Sequence, residues 1–414
     1  MTPTLSDLTR TFGRIGLLSF GGPAAQIALM HRVLVDERKW LTEKDYLSAL
    51  SFCMLLPGPE AMQLATWAGW RLHGTRGGLI AGGLFVLPGA VVVMALSILY
   101  AAWGDLPLMQ ALFLGVQAAV IAIVIEALIR VSRKALKGRT EAIIAALAFV
   151  GLFALNLPFP VIIIAAGLWG FLMAPRGSAR PEAQAIFPQT LETLAVWLSL
   201  WLVPLGILWV NGGLLAEIGW FFSKLAVVTF GGAYAVLAWM AQEVVAVRGW
   251  LTTEQMMAGL GLAETTPGPL ILVTQFVGYM AGYGAGGWPL GLAAAAVTLW
   301  MTFVPCFLWI FVAAPYLGRI TADPRLSGAL NAILAAVVGV IANLSLWFAL
   351  HLLFATLTRQ TFGPVQVLVP DLGSLNLTAL GLAALSALLL LRFHRPLWQV
   401  LAISALASVV ISAL

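Results

Sequence analysis

Apolar stretches of helical length fill most of this 414-residue chain, and glycine, proline or short polar loops interrupt them at regular places. The pattern predicts a helical unit over about 5–34 broken at Gly21-Gly22-Pro23, a polar connector from His31 to Lys44, and a second unit over about 42–73 broken at Pro57-Gly58-Pro59. Uninterrupted spans follow at about 77–103, 107–129, 141–156 and 160–174. A polar, proline-containing linker at 175–189 leads into one span at about 190–210. The series then recurs, with 213–243 broken at Gly231-Gly232 and 250–282 broken at Pro267-Gly268-Pro269, then spans near 286–316, 327–351, 374–391 and 397–414. Two prolines around a glycine cannot continue a helix, because each lacks an N–H, clashes with the preceding turn and pushes the residue before it out of helical dihedrals. Pro59 suits the first turn of a resuming helix, where a missing N–H costs nothing. The predicted local structure is therefore helix, break, helix.

The recurrence is an internal repeat at a constant shift of 210. Phe20-Gly21-Gly22 meets Phe230-Gly231-Gly232, and Ala25, Ala28 and Met30 meet Ala235, Ala238 and Met240. Arg38, Trp40, Leu41 and Thr42 meet Arg248, Trp250, Leu251 and Thr252, and Pro57-Gly58-Pro59 meets Pro267-Gly268-Pro269. Two ungapped copies of a glycine and proline pattern indicate duplication. The domains expected are residues 1–174, a linker and bridging helix at 175–210, and a second copy at 211–414.

Composition then fixes the setting. Hydrophobic residues make up 61% of the chain, charged residues 9%, and the mean hydropathy is +0.98. Soluble domains carry roughly 25% charged residues, so a polytopic membrane protein is expected. Long Leu/Ala/Val runs argue against a β-barrel, whose strands alternate weakly. Residues 1–15 mix Asp7, Arg10 and Arg14 and lack the apolar core of a cleavable signal. Cys53 and Cys306 read as two small core residues.

Charge sets an orientation. Cytoplasmic loops are enriched in Lys and Arg. With the basic loop Arg130, Arg133, Lys134, Lys137 and Arg139 inside, and each broken pair returning to its own side, the inside loops hold 13 cations and the outside loops only Arg359. The bridging span makes the count odd, so the second copy is upside down. The fold expected is an all-α polytopic membrane protein of two inverted-topology repeats, about six helical units each with the first two broken, joined by one bridging transmembrane helix. That is the architecture of secondary transporters, which hold substrate near midplane between the repeats. The N-terminus is expected in the cytoplasm and the C-terminus in the periplasm of a bacterial inner membrane.

The breaks carry the candidate chemistry. Glycine admits a ligand close to the backbone, and the unpaired N–H groups of a helix start favour anions. Candidate substrate contacts are Gly21, Gly22, Gln26, Gly58, Pro59, Gln63, Gly231, Gly232, Thr266, Gly268, Pro269 and Gln275. Candidate charge or coupling residues are Arg14, Lys224, Arg38, Glu60 and Glu264. Arg14 and Lys224 each precede a Gly-Gly by two helical turns, although Arg14 also suits snorkelling to headgroups. Glu60 in a first turn complements the helix dipole; the sharper hypothesis is that it takes up a proton as an anion leaves. His31, His73, His351 and His394 lack metal spacing, and no Walker loop, dinucleotide fingerprint or zinc motif occurs. Neither a cofactor nor nucleic acid is expected, and oligomeric state stays open, a homodimer included.

Phe20-Gly21-Gly22-Pro23 with Gln26 and Met30, Arg38-Lys39-Trp40-Leu41, and Leu56-Pro57-Gly58-Pro59 with Gln63 and Gly69 resemble the signature of the chromate ion transporter family. Thr265-Thr266-Pro267-Gly268-Pro269 and Gln275-Phe276-Val277-Gly278 are similar to its C-terminal half. The resemblance covers nearly the whole chain and implies the long form, two homologous domains in opposite orientation. It also implies chromate resistance by proton-driven antiport of chromate, with sulfate as the isosteric competitor. Gln26 stands where many members have His, and Glu60 where others carry Asn. A carrier for sulfate or another oxyanion, an intramembrane lipid-phosphate enzyme and an anion channel are the alternatives; no Ser/His/Arg cluster near a break supports the enzyme.

Overall fold

The computed structural model describes residues 3–175, 188–230, 233–363 and 365–413. It is mostly helical. The first copy supplies α1 (Leu5–Leu18), α2 (Gly22–His31), α3 (Glu43–Leu55), α4 (Glu60–Trp103), α5 (Pro107–Ala135), α6 (Arg139–Phe153) and α7 (Phe159–Met173). Between the copies lies α8 (Pro188–Asn211). The second copy supplies α9 (Leu214–Val228), α10 (Ala233–Gln242), α11 (Thr253–Thr265), α12 (Val273–Ala313), α13 (Leu317–Ala322), α14 (Pro324–Leu353), α15 (Leu377–Ala387) and α16 (Leu397–Ala413). Among the described residues, five helical stretches are long and apolar enough to cross a membrane, α5, α8 and α14 among them. On α8, Val196, Leu200, Val203 and Ile207 are exposed apolar side chains, as a lipid-facing helix requires.

Breaks fall where the glycines and prolines stand. Gly21 takes a left-handed φ of +87° and caps α2, whose first turn contains Pro23. Leu56 is extended, Gly58 has φ +126°, and α4 begins immediately after Pro59. In the second copy Gly268 has φ +88°, and a 3-10 turn at Leu270–Leu272 runs into α12. Gly231 and Gly232 lie outside the described residues.

The helical run α4 is two helices. His73 and Gly74 leave the helical region, with Gly74 at φ +59°, and a Cβ on Gly69 would strike the Gly77 carbonyl. The chain therefore doubles back there, and glycine permits the close approach. The same reversal occurs in α12 at Gly286 and Gly287, where a Cβ on Gly282 would meet the Leu290 carbonyl. Residues 60–72 thus span only about 20 Å at 1.5 Å per residue, short of a hydrocarbon core of about 30 Å. These reversals match the expected unit ends near 73 and 282.

Packing groups the helices into two compact units, each drawing on both copies. One comprises Met1–Ile98, Ala174–Ala233 and Thr266–Ser327; the other comprises Leu99–Met173, Tyr234–Thr265 and Gly328–Leu414. Within the second, small residues let helices touch: Ala119, Ala122 and Ile123 of α5 pack on Val400 and Leu401 of α16, and Ser386 and Ser404 hydroxyls share a hydrogen bond of 2.6 Å.

The all-α expectation needs one correction. Residues 352–372, expected as a plain loop, contain an antiparallel hairpin of β1 (Leu357–Phe362) and β2 (Val365–Pro370). Val365, Val367 and Val369 alternate along β2 and Thr358 and Thr361 sit on β1, a β-branched content that favours strands. The Gln366 N–H donates to the Ala154 carbonyl at 2.9 Å and so ties the hairpin to the end of α6.

Candidate functional site

The two Pro-Gly-Pro breaks are held by main-chain bonds that mirror each other. The Gly58 N–H donates to the Thr229 carbonyl at 2.7 Å, and the Gly268 N–H donates to the Ser19 carbonyl at 3.0 Å. Donors and acceptors are both related by the shift of 210, so each copy pins the break of the other. Ser19 and Thr229 end α1 and α9, and their hydroxyls donate back one turn, to Ile15 and Leu225. Each break also rests on a helix of the opposite copy. A Cβ on Gly58 would lie 3.0 Å from the Cys306 sulfur, while a Cβ on Gly268 would lie 3.4 Å from the Phe85 carbonyl.

Three buried glutamines lock this backbone. Gln26 Nε2 donates to the Gly268 carbonyl at 2.6 Å and to Ser19 at 3.2 Å. Gln63 Nε2 donates to Pro57 at 2.7 Å, and Gln275 Nε2 donates to Ala90 at 3.0 Å. Buried carbonyls at a helix break need such donors, since an orphan costs about 1–3 kcal/mol. Both N–H groups of Gln26 are thereby engaged. The acyl oxygens of all three glutamines have no hydrogen-bond partner among the described residues.

The four resuming helices begin around one hollow. Its lining includes Pro23 and Gln26 at the start of α2, Pro59, Glu60 and Ala61 at the start of α4, Ala233 at the start of α10, and Pro269, Leu270 and Ile271 leading into α12. Each helix start carries roughly +0.5 charge, so four of them present about +2, offset by at most one negative charge from Glu60. The hollow measures about 10 Å³, room for about one water.

Of the expected contacts, Gln26, Pro59 and Pro269 line the hollow. Gly58, Gln63, Thr266, Gly268 and Gln275 are buried at or beside the breaks. Gly21 and Gly22 precede Pro23 and are half-buried. The charged candidates scatter. Glu60 lines the hollow; Arg14 and Arg38 are exposed, with Arg38 5.8 Å from the Trp40 ring. Lys224 lies over Trp220 at 5.6 Å. Glu264 is buried, and the Tyr234 hydroxyl donates to it at 2.5 Å. Sequence reasoning passed over Ser19, Thr229 and Tyr234. The first two occupy matched positions just before Phe20 and Phe230, a signal that was available; Tyr234 meets Ala24 across the repeat, so no pairing marks it.

The model of the chromate transporter family matches residues 6–171 and again 216–409. The chain belongs to the chromate transporter family. A chromate transport protein of Pseudomonas aeruginosa is 35% identical over 343 residues, 81% of this chain and 79% of that protein. The chromate transport protein of Cupriavidus metallidurans is 31% identical, covering 83% of this chain and 82% of its own length. A probable chromate transport protein of Synechococcus elongatus is also 31% identical, over 82% of this chain and 83% of its own. No solved structure matches the chain. Among chromate transporters the two-segment match corresponds to the long, two-domain form, a transmembrane transporter with no enzymatic role implied.

Proposed function

We propose that this chromate transporter is a secondary carrier that exports chromate across the bacterial inner membrane in exchange for protons. The observation that carries the proposal is the meeting of four helix starts on one hollow, a concentration of positive ends suited to a tetrahedral dianion. At about 10 Å³ the hollow holds roughly one water, so an oxyanion enters only when the breaks part. The repeats, 1–174 and 211–414 about the bridge in 175–210, each supply one of the two Pro-Gly-Pro breaks. Their inversion is supported by the reciprocal bonds Gly58 to Thr229 and Gly268 to Ser19, the pattern expected of halves related by a local twofold axis. The cation bias of the loops favours a cytoplasmic N-terminus and a periplasmic C-terminus.

Recognition by backbone N–H groups reads charge and tetrahedral shape, so sulfate is the second substrate reading. Proton coupling falls to Glu264. A buried carboxyl with one neutral hydroxyl donor loses little by taking a proton and much by standing charged. Glu60, at the hollow itself, sets how tightly the anion is held. The test is flux of labelled chromate in inverted membrane vesicles under an imposed pH gradient, with sulfate as competitor. Gradient-driven chromate accumulation is expected, and transport of neither anion would reject the oxyanion reading.

A further inference from the structure

A second, larger cavity lies wholly within the unit that contains α14 and the hairpin. It measures about 460 Å³, within the range of sites that take small ligands. Asn343, Trp347 and Leu350 of α14 line one wall at spacings of four and three residues, so they share one face. Trp239 and Phe159 form another wall and stack on each other at 5.7 Å. Arg359 of β1 and Gln366 of β2 stand on the hairpin side. From Leu350 to Asn343 the wall runs about 10 Å along the helix. Because α14 is long and apolar enough to cross the membrane and ends at Leu353, the hairpin end of this cavity sits at a membrane boundary. The aromatic walls suit that level.

The polar groups of the lining are unequal. Glu243 is already engaged, 3.1 Å from Arg248, and Asn156 donates to Gln366 at 3.1 Å. Arg359 is exposed and forms no ion pair among the described residues. Asn343 is 3% exposed, and its amide nitrogen has no hydrogen-bond partner among the described residues. A cation at the boundary, apolar walls below it and an unused amide at depth describe a molecule with an anionic head and a hydrocarbon body. A bare oxyanion would leave the aromatic walls unfilled. We propose that this cavity binds one anionic phospholipid of the surrounding leaflet, its phosphate on Arg359 and its glycerol and first methylenes along Trp347 towards Asn343.

Native mass spectrometry of the full chain, delipidated in detergent and titrated with phosphatidylglycerol or phosphatidylcholine, tests this. The wild type should retain one phosphatidylglycerol in preference to phosphatidylcholine. Arg359→Gln should weaken that binding about tenfold, the scale of a charge-assisted pair in a partly wet site, while Arg359→Lys keeps most of it. Leu350→Trp, which fills the cavity without touching the charge, should weaken both lipids. Equal binding of the two lipids by wild type, or unchanged phosphatidylglycerol binding in Arg359→Gln, would overturn the proposal. Displacement of the bound lipid by inorganic sulfate would overturn it too, by marking the cavity as an entry for the transported anion.

Discussion

The break at Gly58 and the break at Gly268 share a backbone and differ in their side chains. Both glycines take positive φ, and both donate to the carbonyl that ends a helix of the other copy. Yet Gly58 sits at φ +126° against Gln63 and Cys306, and its helix resumes with Glu60. Gly268 sits at φ +88° against Leu272, and its helix resumes with Leu270 in a 3-10 turn. Glu264, four residues before Gly268, has no acidic counterpart in the first copy, where Met54 stands. Main-chain geometry is what the two breaks hold in common, so it is the part suited to grip the anion. Titratable side chains are unshared, and they suit the steps in which the two faces must behave differently.

The sharpest way to break this comparison is to give each glycine a methyl group. At φ +126° a non-glycine residue costs about 1–3 kcal/mol, and the new Cβ of Gly58→Ala would lie 2.7 Å from Gln63 Nε2 and 3.0 Å from Cys306 Sγ. Gly58→Ala should lower chromate flux more than about tenfold, the rate equivalent of roughly 1.4 kcal/mol. Gly268→Ala should do less harm, because its nearest atom is the movable Leu272 Cδ1 at 3.1 Å. Equal losses in a vesicle assay would mean that side-chain surroundings do not matter. Next comes the acid pair. Glu264→Gln should abolish the response of flux to an imposed pH gradient, and Tyr234→Phe should only shift it. Glu60→Gln should keep the response and lower the chromate KM by a few-fold, since one negative charge leaves the hollow. A flat pH response in Glu60→Gln would move the proton to the hollow.

Stability sharpens the contrast further. Gln26→Leu takes the donor from the Gly268 carbonyl and one of two donors from the Ser19 carbonyl, which keeps the Gly268 N–H, whereas Gln63→Leu takes the donor from Pro57 alone. At about 1–3 kcal/mol for an unsatisfied buried group, Gln26→Leu should give the larger fall in melting temperature in detergent. The smallest effect concerns the matched arginines. Arg248 bonds Glu243 and lies 4.8 Å from the Trp250 ring, while Arg38 lies 5.8 Å from Trp40. Arg248→Ala should cost about 0.5–1 kcal/mol and Arg38→Ala less, as read by thermal unfolding.

Much of this was legible because glycine and proline dictate backbone directly. Gly21, Pro57, Gly58, Pro267 and Gly268 mark the breaks, and the gap between apolar spans near 73–77 marks the reversal at Gly74. Less legible was where each freed N–H goes, because Ser19 and Thr229 act through carbonyls that any residue possesses. Gln26 was expected as a ligand contact; it lines the hollow, yet its N–H groups serve carbonyls of both copies. The Tyr234–Glu264 pair joins residues 30 apart with no periodic mark. Six-residue strands in a loop between long helices escape a pattern search tuned to spans.

One copy of the motif, taken alone, is chemically unfinished: an amide waits for an acceptor while a carbonyl waits for a donor. Two half-length polypeptides facing each other would complete both bonds at once, and would then be compelled to keep identical chemistry on either side of the seam. Fusion into a single polypeptide frees each side to mutate by itself, and a glutamate beside one break with leucine beside the other is the form that freedom takes here.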